Sequence, residues 1–68
     1  MYSKLKEEMQ RQHITGYGLA KRTGISCSDI YNALTGKKYM FDGWKQRIAE
    51  ALGQPVEDLF PEEVQNND

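Results

Sequence analysis

Between Cys27 and Asn32 the chain carries a cluster of side chains that can donate or accept hydrogen bonds. Ser28 has a hydroxyl, and Asn32, four residues later, has an amide with two donors and one acceptor. A spacing of four residues places two side chains on one face of a helix, one turn apart. The Cys27 thiol and the Tyr31 hydroxyl lie near that face. These uncharged groups can bond to the polar edge of a partner, and they include no nucleophile paired with a base.

The helix that must position these side chains is predicted over residues 26–35. Ser26 and Asp29 fit the S-x-x-[DE] capping box, in which a hydroxyl and a carboxylate bond to free amides at the start of a helix. Gly36 follows the last helical residue and is typical of a C-terminal stop. The apolar side chains recur at helical spacing and are expected to face the core: Ile30, Ala33 and Leu34. The polar cluster then faces outward.

A shorter helix and a tight turn are predicted before it. Thr15 is the expected N-cap of this helix, and the chain is expected to turn at Gly24. Ala20 is small, so the two helices can cross closely, and Gly24 tolerates the positive φ of a sharp turn. Ile25 and Ile30 are expected to fill the space around the turn. Two short helices joined in this way form a helix-turn-helix.

Three further helices complete a prediction of a compact all-α fold with five helices and no strand. They are expected over about residues 3–12, 42–53 and 55–60. Ser3 and Asp42 are the expected N-caps of the first two, because both side chains can accept a hydrogen bond from a free amide.

Length and composition restrict the functions. The 68 residues suffice for one domain with a small core and are too few for a typical enzyme with a buried cleft. We expect one domain over residues 1–60, with Trp44 in its core, and an acidic, flexible tail over residues 61–68. One cysteine and one histidine provide neither an internal disulfide nor a single-chain zinc site, and no cofactor is expected. No run of about 18 apolar residues is present, so no membrane span is expected.

Charge is distributed unevenly although the net charge is only −1. Residues 1–47 contain all nine basic residues and four acidic ones, a balance of +5, whereas residues 48–68 contain six acidic residues and no Lys or Arg. Such a chain can present a positive face to phosphates and turn its negative end away. A solvated surface with a charged tail is the alternative interpretation.

Four segments of the sequence together resemble one protein family. They are G-L-A-K-R-T-G-I-S at 18–26, T-G-K-K at 35–38, I-A-E-A-L-G at 48–53 and V-E-D-L-F at 56–60. From Leu5 to Phe60 the chain resembles the Cro and repressor type of helix-turn-helix domain, the XRE family with the lambda-repressor-like fold. Two positions depart from the family. Gly16 and Cys27 stand where the family often has glutamines that contact a phosphate and a base.

The resemblance implies double-stranded DNA as the partner and residues 26–35 as the recognition helix. Base contacts in the major groove are expected from four residues of that helix: Cys27, Ser28, Tyr31 and Asn32. Asn32 can form two hydrogen bonds with adenine, and ordinary polar surface is the alternative for both Asn32 and Tyr31. Phosphate contacts are expected from the start of the preceding helix and from the segment after the recognition helix: Thr15, Gly16, Tyr17, Thr35, Lys37, Lys38 and Tyr39.

These features together predict a sequence-specific regulator of transcription. A Cro-like repressor of phage or mobile-element origin is expected, acting on an operator in the cytoplasm of a bacterial or phage-infected cell. Self-association through the C-terminal segment, with Phe60 and Val64, is one option, and a monomer that pairs only on DNA is the other. No small-molecule ligand is expected. The alternative function is a protein-interaction module, antitoxin-like or an adaptor, that reuses the same fold.

Overall fold

The computed structural model describes residues 2–61, in which turns and loops join five helices. They are α1 Ser3–Arg11, α2 Gly16–Thr23, α3 Cys27–Leu34, α4 Asp42–Leu52 and α5 Val56–Leu59. No strand occurs within residues 2–61, so the all-α prediction and its number of helices are confirmed. The Cα radius of gyration is 11.0 Å. None of these five helices has the length and apolar character that crossing a membrane requires.

Side-chain caps fix the starts of α2 and α3. Thr15 Oγ1 accepts a hydrogen bond from the Gly18 amide at 3.0 Å, and Ser26 Oγ accepts one from the Asp29 amide at 3.1 Å. Each bond satisfies one of the amides that a helix leaves without an intrahelical partner at its first turn. Both predicted N-caps are therefore confirmed.

The predicted N-caps of α1 and α4 are wrong by one residue. Ser3 and Asp42 are the first residues of these helices, and the cap positions belong to Tyr2 and Phe41, which make no side-chain cap bond. Tyr2 instead packs edge-on against Phe60, with 5.8 Å between the ring centroids. The residue before α1 therefore makes an aromatic contact in place of a side-chain cap, which a rule based on hydroxyl and carboxylate caps does not detect.

The turn between α2 and α3 is closed by hydrogen bonds of main-chain and threonine groups. Gly24 has a φ of 78°, and its amide donates to the Ala20 carbonyl at 2.9 Å. The Thr23 hydroxyl donates to the Leu19 carbonyl at 2.9 Å and accepts from the Ile25 amide at 3.2 Å. The remaining residues predicted for the helix-turn-helix core are buried: Ala20, Ile25 and Ile30.

One apolar cluster with members from every helix forms the core. Its buried side chains are Leu5, Met9, Leu19, Ala20, Ile25, Ile30, Ala33, Leu34, Met40, Ile48, Ala49, Leu52, Leu59 and Phe60. Met40 belongs to the segment between α3 and α4, which the sequence indicated only as a loop, and it is fully buried. Trp44 is half-buried at the edge of the cluster rather than inside it. The core thus extends into the segment that follows α3 and holds that segment in place.

A polar cluster joins α1 to the end of α4. Gln12 Nε2 donates to the Leu52 carbonyl at 2.8 Å and to Glu8 Oε2 at 2.6 Å. Gln54 Nε2 donates to the same Glu8 oxygen at 3.2 Å, and Arg11 forms an ion pair with this carboxylate. The Arg11 hydrogen bond, followed by that of Gln12, lowers the pKa of Glu8 to about 2.

Candidate functional site

Helix α3 is anchored on one side and accessible on the other. Its apolar stripe is buried as predicted: Ile30, Ala33 and Leu34. We define the α3 face as the accessible or half-accessible residues on this helix and its C-cap that were expected to contact DNA: Cys27, Ser28, Tyr31, Asn32 and Thr35. Ser28, Tyr31 and Thr35 are exposed, whereas Cys27 and Asn32 are half-buried. The groups of this face are all uncharged.

The Tyr31 ring lies over the first residue of α2. A Cβ built on Gly16 would be 2.7 Å from Tyr31 Cζ and 3.0 Å from Tyr31 Oη, which is closer than side chains pack. Gly16 is consequently buried, whereas Thr15 and Tyr17 on either side of it are exposed. The contact therefore brings a residue expected to bind a base next to one expected to bind a phosphate, and it covers the glycine.

The end of α3 directs the segment that carries two lysines. Gly36 has a φ of 86°, and its amide donates to the Ala33 carbonyl at 3.2 Å. The next two amides, of Lys37 and Lys38, both donate to the Asn32 carbonyl, at 2.8 and 3.1 Å. This arrangement is a Schellman motif, in which a glycine in the left-handed region ends a helix and its neighbours satisfy the last carbonyls. Residues 37–39, which we name the lysine loop, leave the helix directly beside Asn32.

Lys38 is held by an acidic residue of α3. Its Nζ lies 2.9 Å from Asp29 Oδ1, and both side chains are partly exposed. This hydrogen bond is the main cause of the lowered pKa of the Asp29 carboxyl. Of the two hydrogen bonds in the predicted capping box, the one accepted by Ser26 Oγ is therefore present. The Asp29 carboxylate instead binds Lys38.

Three aromatic side chains, which we name the aromatic row, begin in the lysine loop and continue after it: Tyr39, Phe41 and Trp44. Tyr39 is 66% exposed and Phe41 is 47% exposed. Phe41 packs edge-on against both neighbours, with centroid distances of 5.3 Å to Tyr39 and 4.8 Å to Trp44. Lys38 Nζ lies 5.7 Å from the Trp44 ring centroid. Sequence reasoning included Tyr39 but missed Phe41, although aromatic residues two apart beside lysines were a visible signal.

The basic residues are spread over α1, α2, α4 and the lysine loop. Lys4 and Arg11 of α1 line a groove with Glu57 and Asp58 of α5. Lys45 is only 3% exposed. A second groove between α2 and α4 contains two arginines and an acid: Arg22, Arg47 and Glu50. Lys37 and Lys38 in the lysine loop directly follow the α3 face, and Lys21 is exposed on α2.

Lys21 and Tyr17 form a pair at the exposed side of α2. Lys21 Nζ lies 5.2 Å from the Tyr17 ring centroid, and the Tyr17 ring is 58% exposed. The phenol of Tyr17 and the ammonium of Lys21 therefore stand together near the start of α2.

The C-terminal segment was expected to offer Phe60 and Val64 for self-association. Phe60 is 1% exposed, and its ring is part of the core cluster. Val64 and the rest of the predicted tail beyond Pro61 lie outside the described residues. Within residues 2–61, His, Cys, Asp and Glu side chains form no group of three that could hold a metal ion.

Comparison with known proteins adds no relative. No family model, curated protein or solved structure matches the chain.

Proposed function

We propose that the chain binds double-stranded DNA through the α3 face and acts as a sequence-specific transcriptional repressor. One observation carries the proposal. Helix α3 is fixed to α2 across a glycine turn through its buried stripe, and its uncharged polar groups remain accessible. In helix-turn-helix proteins a second helix held in this way enters the major groove with its N-terminal residues at the base edges. The resemblance to the XRE family supports the same function.

The groups of the α3 face suit two kinds of contact. Ser28 lies in the first turn of α3 and can donate to or accept from a base edge. Asn32, one turn later, can form two hydrogen bonds with adenine, which is worth about 1–3 kcal/mol of discrimination. Cys27 can contact a thymine methyl. Because the Tyr31 ring lies over Gly16, its hydroxyl is better placed for a phosphate near the start of α2 than for a base.

Phosphate contacts are assigned to the two segments that flank the α3 face. Thr15 and Tyr17 stand at the start of α2, where the helix dipole and free amides favour an anion. Thr35 and the lysine loop stand at the end of α3, with exposed lysines at 37 and 38. Such contacts fix the position of the protein on the duplex and make its affinity depend on salt.

Selection from random duplex DNA at moderate salt tests the proposal. The retained fraction is sequenced for the wild type and for Asn32→Ala, with Gln46→Ala on α4 as a matched control outside the α3 face. We expect an enriched palindromic site that the control variant also selects and that Asn32→Ala selects less strictly. Retention that depends on salt but enriches no sequence would contradict the specific function, and no retention would contradict DNA binding altogether.

A protein-interaction module is the second candidate, and the aromatic row favours it. Tyr39 and Phe41 expose apolar rings beside lysines, which is typical of a surface that binds another protein. The two candidates differ in their response to charge. A DNA-binding protein loses affinity steeply as salt rises, whereas a complex formed through apolar rings changes little. The affinities of Lys37→Ala and Phe41→Ala for the selected duplex separate the two candidate functions.

A further inference from the structure

The Asp29 carboxylate is the feature near the α3 face that the proposed function does not explain. Asp29 is the only acidic residue between Gly16 and Phe41 in the sequence. It lies in the first turn of α3, next to Ser28, so the duplex would come close to it under the proposed function. An unpaired carboxylate at this position would repel DNA, because like charges at close range oppose association.

The structure gives this carboxylate a partner from the lysine loop. Lys38 Nζ lies 2.9 Å from Asp29 Oδ1 and 5.7 Å from the centroid of the Trp44 ring. The Schellman motif at Gly36 fixes the main chain at this point, because the Lys38 amide is bonded to the Asn32 carbonyl at 3.1 Å. Lys37, one residue earlier, is exposed, and no bond of its ammonium is found within residues 2–61. The two lysines are therefore unequal.

We infer that Asp29 is an internal counter-ion that holds Lys38 and cancels its charge at the α3 face, so that the affinity for duplex DNA is set by the balance between these two side chains. This inference rests on the proposed function. Of the two lysines assigned to phosphate under the proposed function, Lys37 then supplies the direct contact, and Lys38 chiefly prevents Asp29 from repelling the backbone. Asp29 is a positioning residue in this scheme and touches no base.

The inference predicts a specific pattern among four proteins. The pair carries no net charge in the wild type, one positive charge in Asp29→Asn, one negative charge in Lys38→Ala, and none in the double variant. Asp29→Asn should bind duplex DNA about three- to tenfold more tightly, with a salt slope steeper by about one contact. Lys38→Ala should bind more weakly by a similar factor. The double variant should return to within about twofold of the wild type.

The experiment measures binding of each protein to a fluorescent random-sequence duplex about two helical turns long, from about 50 to about 200 mM KCl. Lys37→Ala, alone and combined with Asp29→Asn, is the matched control, and its loss should be the same in both backgrounds. Thermal unfolding of every variant checks that the fold is kept. Rescue of Lys38→Ala by Asp29→Asn is a result that a merely structural role of the pair does not produce.

Two outcomes overturn the inference and point to different causes. If Asp29→Asn leaves the affinity and the salt slope of both the wild type and Lys38→Ala unchanged, Lys38 binds phosphate independently and the counter-ion role is wrong. If no protein binds the duplex, the proposed function fails, and the inference fails with it. A carboxyl titration by NMR without DNA separates the pair from the function, since Lys38→Ala should raise the pKa of Asp29 wherever the pair exists.

Discussion

The Tyr31 ring and Gly16 are packed against each other so closely that a Cβ on Gly16 would lie 2.7 Å from Tyr31 Cζ. This contact joins the accessible side of α3 to the first residue of α2. The atoms that a new methyl group would meet belong to the far end of the tyrosine side chain, which is 47% exposed and can rotate outward. The position of Tyr31 therefore depends on the absence of a side chain at residue 16.

Gly16→Ala is expected to displace the Tyr31 ring and to change the free energy of unfolding little. Under the proposed function, DNA affinity should fall to that of Tyr31→Ala, and the double variant should lose no more than either single one. Gly18→Ala is the matched control. A Cβ on Gly18 meets Thr15 Oγ1 at 3.5 Å, an ordinary contact, so this variant should gain about 0.5–1 kcal/mol of stability and keep its affinity.

Fluorescence anisotropy with the selected duplex and chemical unfolding give the two readouts. A Gly16→Ala variant that binds as tightly as the wild type would show that the placement of Tyr31 is irrelevant to binding.

Two serines of the α3 segment are expected to separate stability from binding. Ser26 Oγ caps α3 by accepting from the Asp29 amide, so Ser26→Ala should lower the free energy of unfolding by about 1 kcal/mol. Ser28 is exposed in the first turn, so Ser28→Ala should change stability by less than about 0.5 kcal/mol and should weaken DNA binding. Urea unfolding and duplex binding of both variants check this. A loss of stability in Ser28→Ala and a loss of DNA binding in Ser26→Ala would contradict these two assignments.

His13 is expected to be a site where glycine stabilises the fold. It has a φ of 58°, a left-handed conformation that costs a residue with a Cβ roughly 1–2 kcal/mol. It ends α1 in a Schellman motif, since the His13 amide donates to Gln10 and the Ile14 amide to Met9. His13→Gly should raise the free energy of unfolding by about 0.5–1 kcal/mol after the entropy of the unfolded chain is included. Thermal unfolding is the measurement, and His13→Ala, which keeps the strain, should show no gain.

Glu8 is expected to make the stability fall at acid pH. Its pKa is about 2 in the folded chain, below the usual value of about 4.3 for an unfolded glutamate. A carboxyl whose pKa is lowered by folding contributes stability above the unfolded pKa, and this contribution is lost as the pH falls through the folded pKa. The loss therefore lies between about pH 5 and pH 2. Melting temperatures across this range should fall less steeply for Glu8→Gln than for the wild type, whereas Glu7→Gln should follow the wild type.

Local sequence signals predicted the helices that carry the candidate site. They predicted the contacts around these helices less well. Thr15 and Ser26 each cap a helix by accepting a hydrogen bond from an amide three residues later, and Gly24 and Gly36 end helices by their positive φ. Short stretches of sequence are therefore sufficient to predict these helix ends. The buried stripe of α3 follows from helical spacing alone. The all-α fold class could be predicted for the same reason.

Burial that depends on elements distant in sequence could not be predicted from the sequence. Met40 enters the core because its loop crosses the cluster, and Lys45 is buried with its Nζ 5.9 Å from the Phe60 ring centroid, although α5 is remote in sequence. The contact of Tyr31 with Gly16 is likewise a product of how two helices cross. Helical periodicity gives the direction of a side chain on its own helix and not the partner that meets it.

The Asn32 carbonyl has a consequence for how this surface can change by mutation. The amides of Lys37 and Lys38 both bond to that oxygen, so the lysine loop is anchored by a main-chain atom that every amino acid possesses. Replacing the side chain at position 32 leaves this anchor in place. The chemistry offered at the middle of α3 and the course of the loop beside it can therefore be altered independently, one by substitution at residue 32 and the other at Gly36.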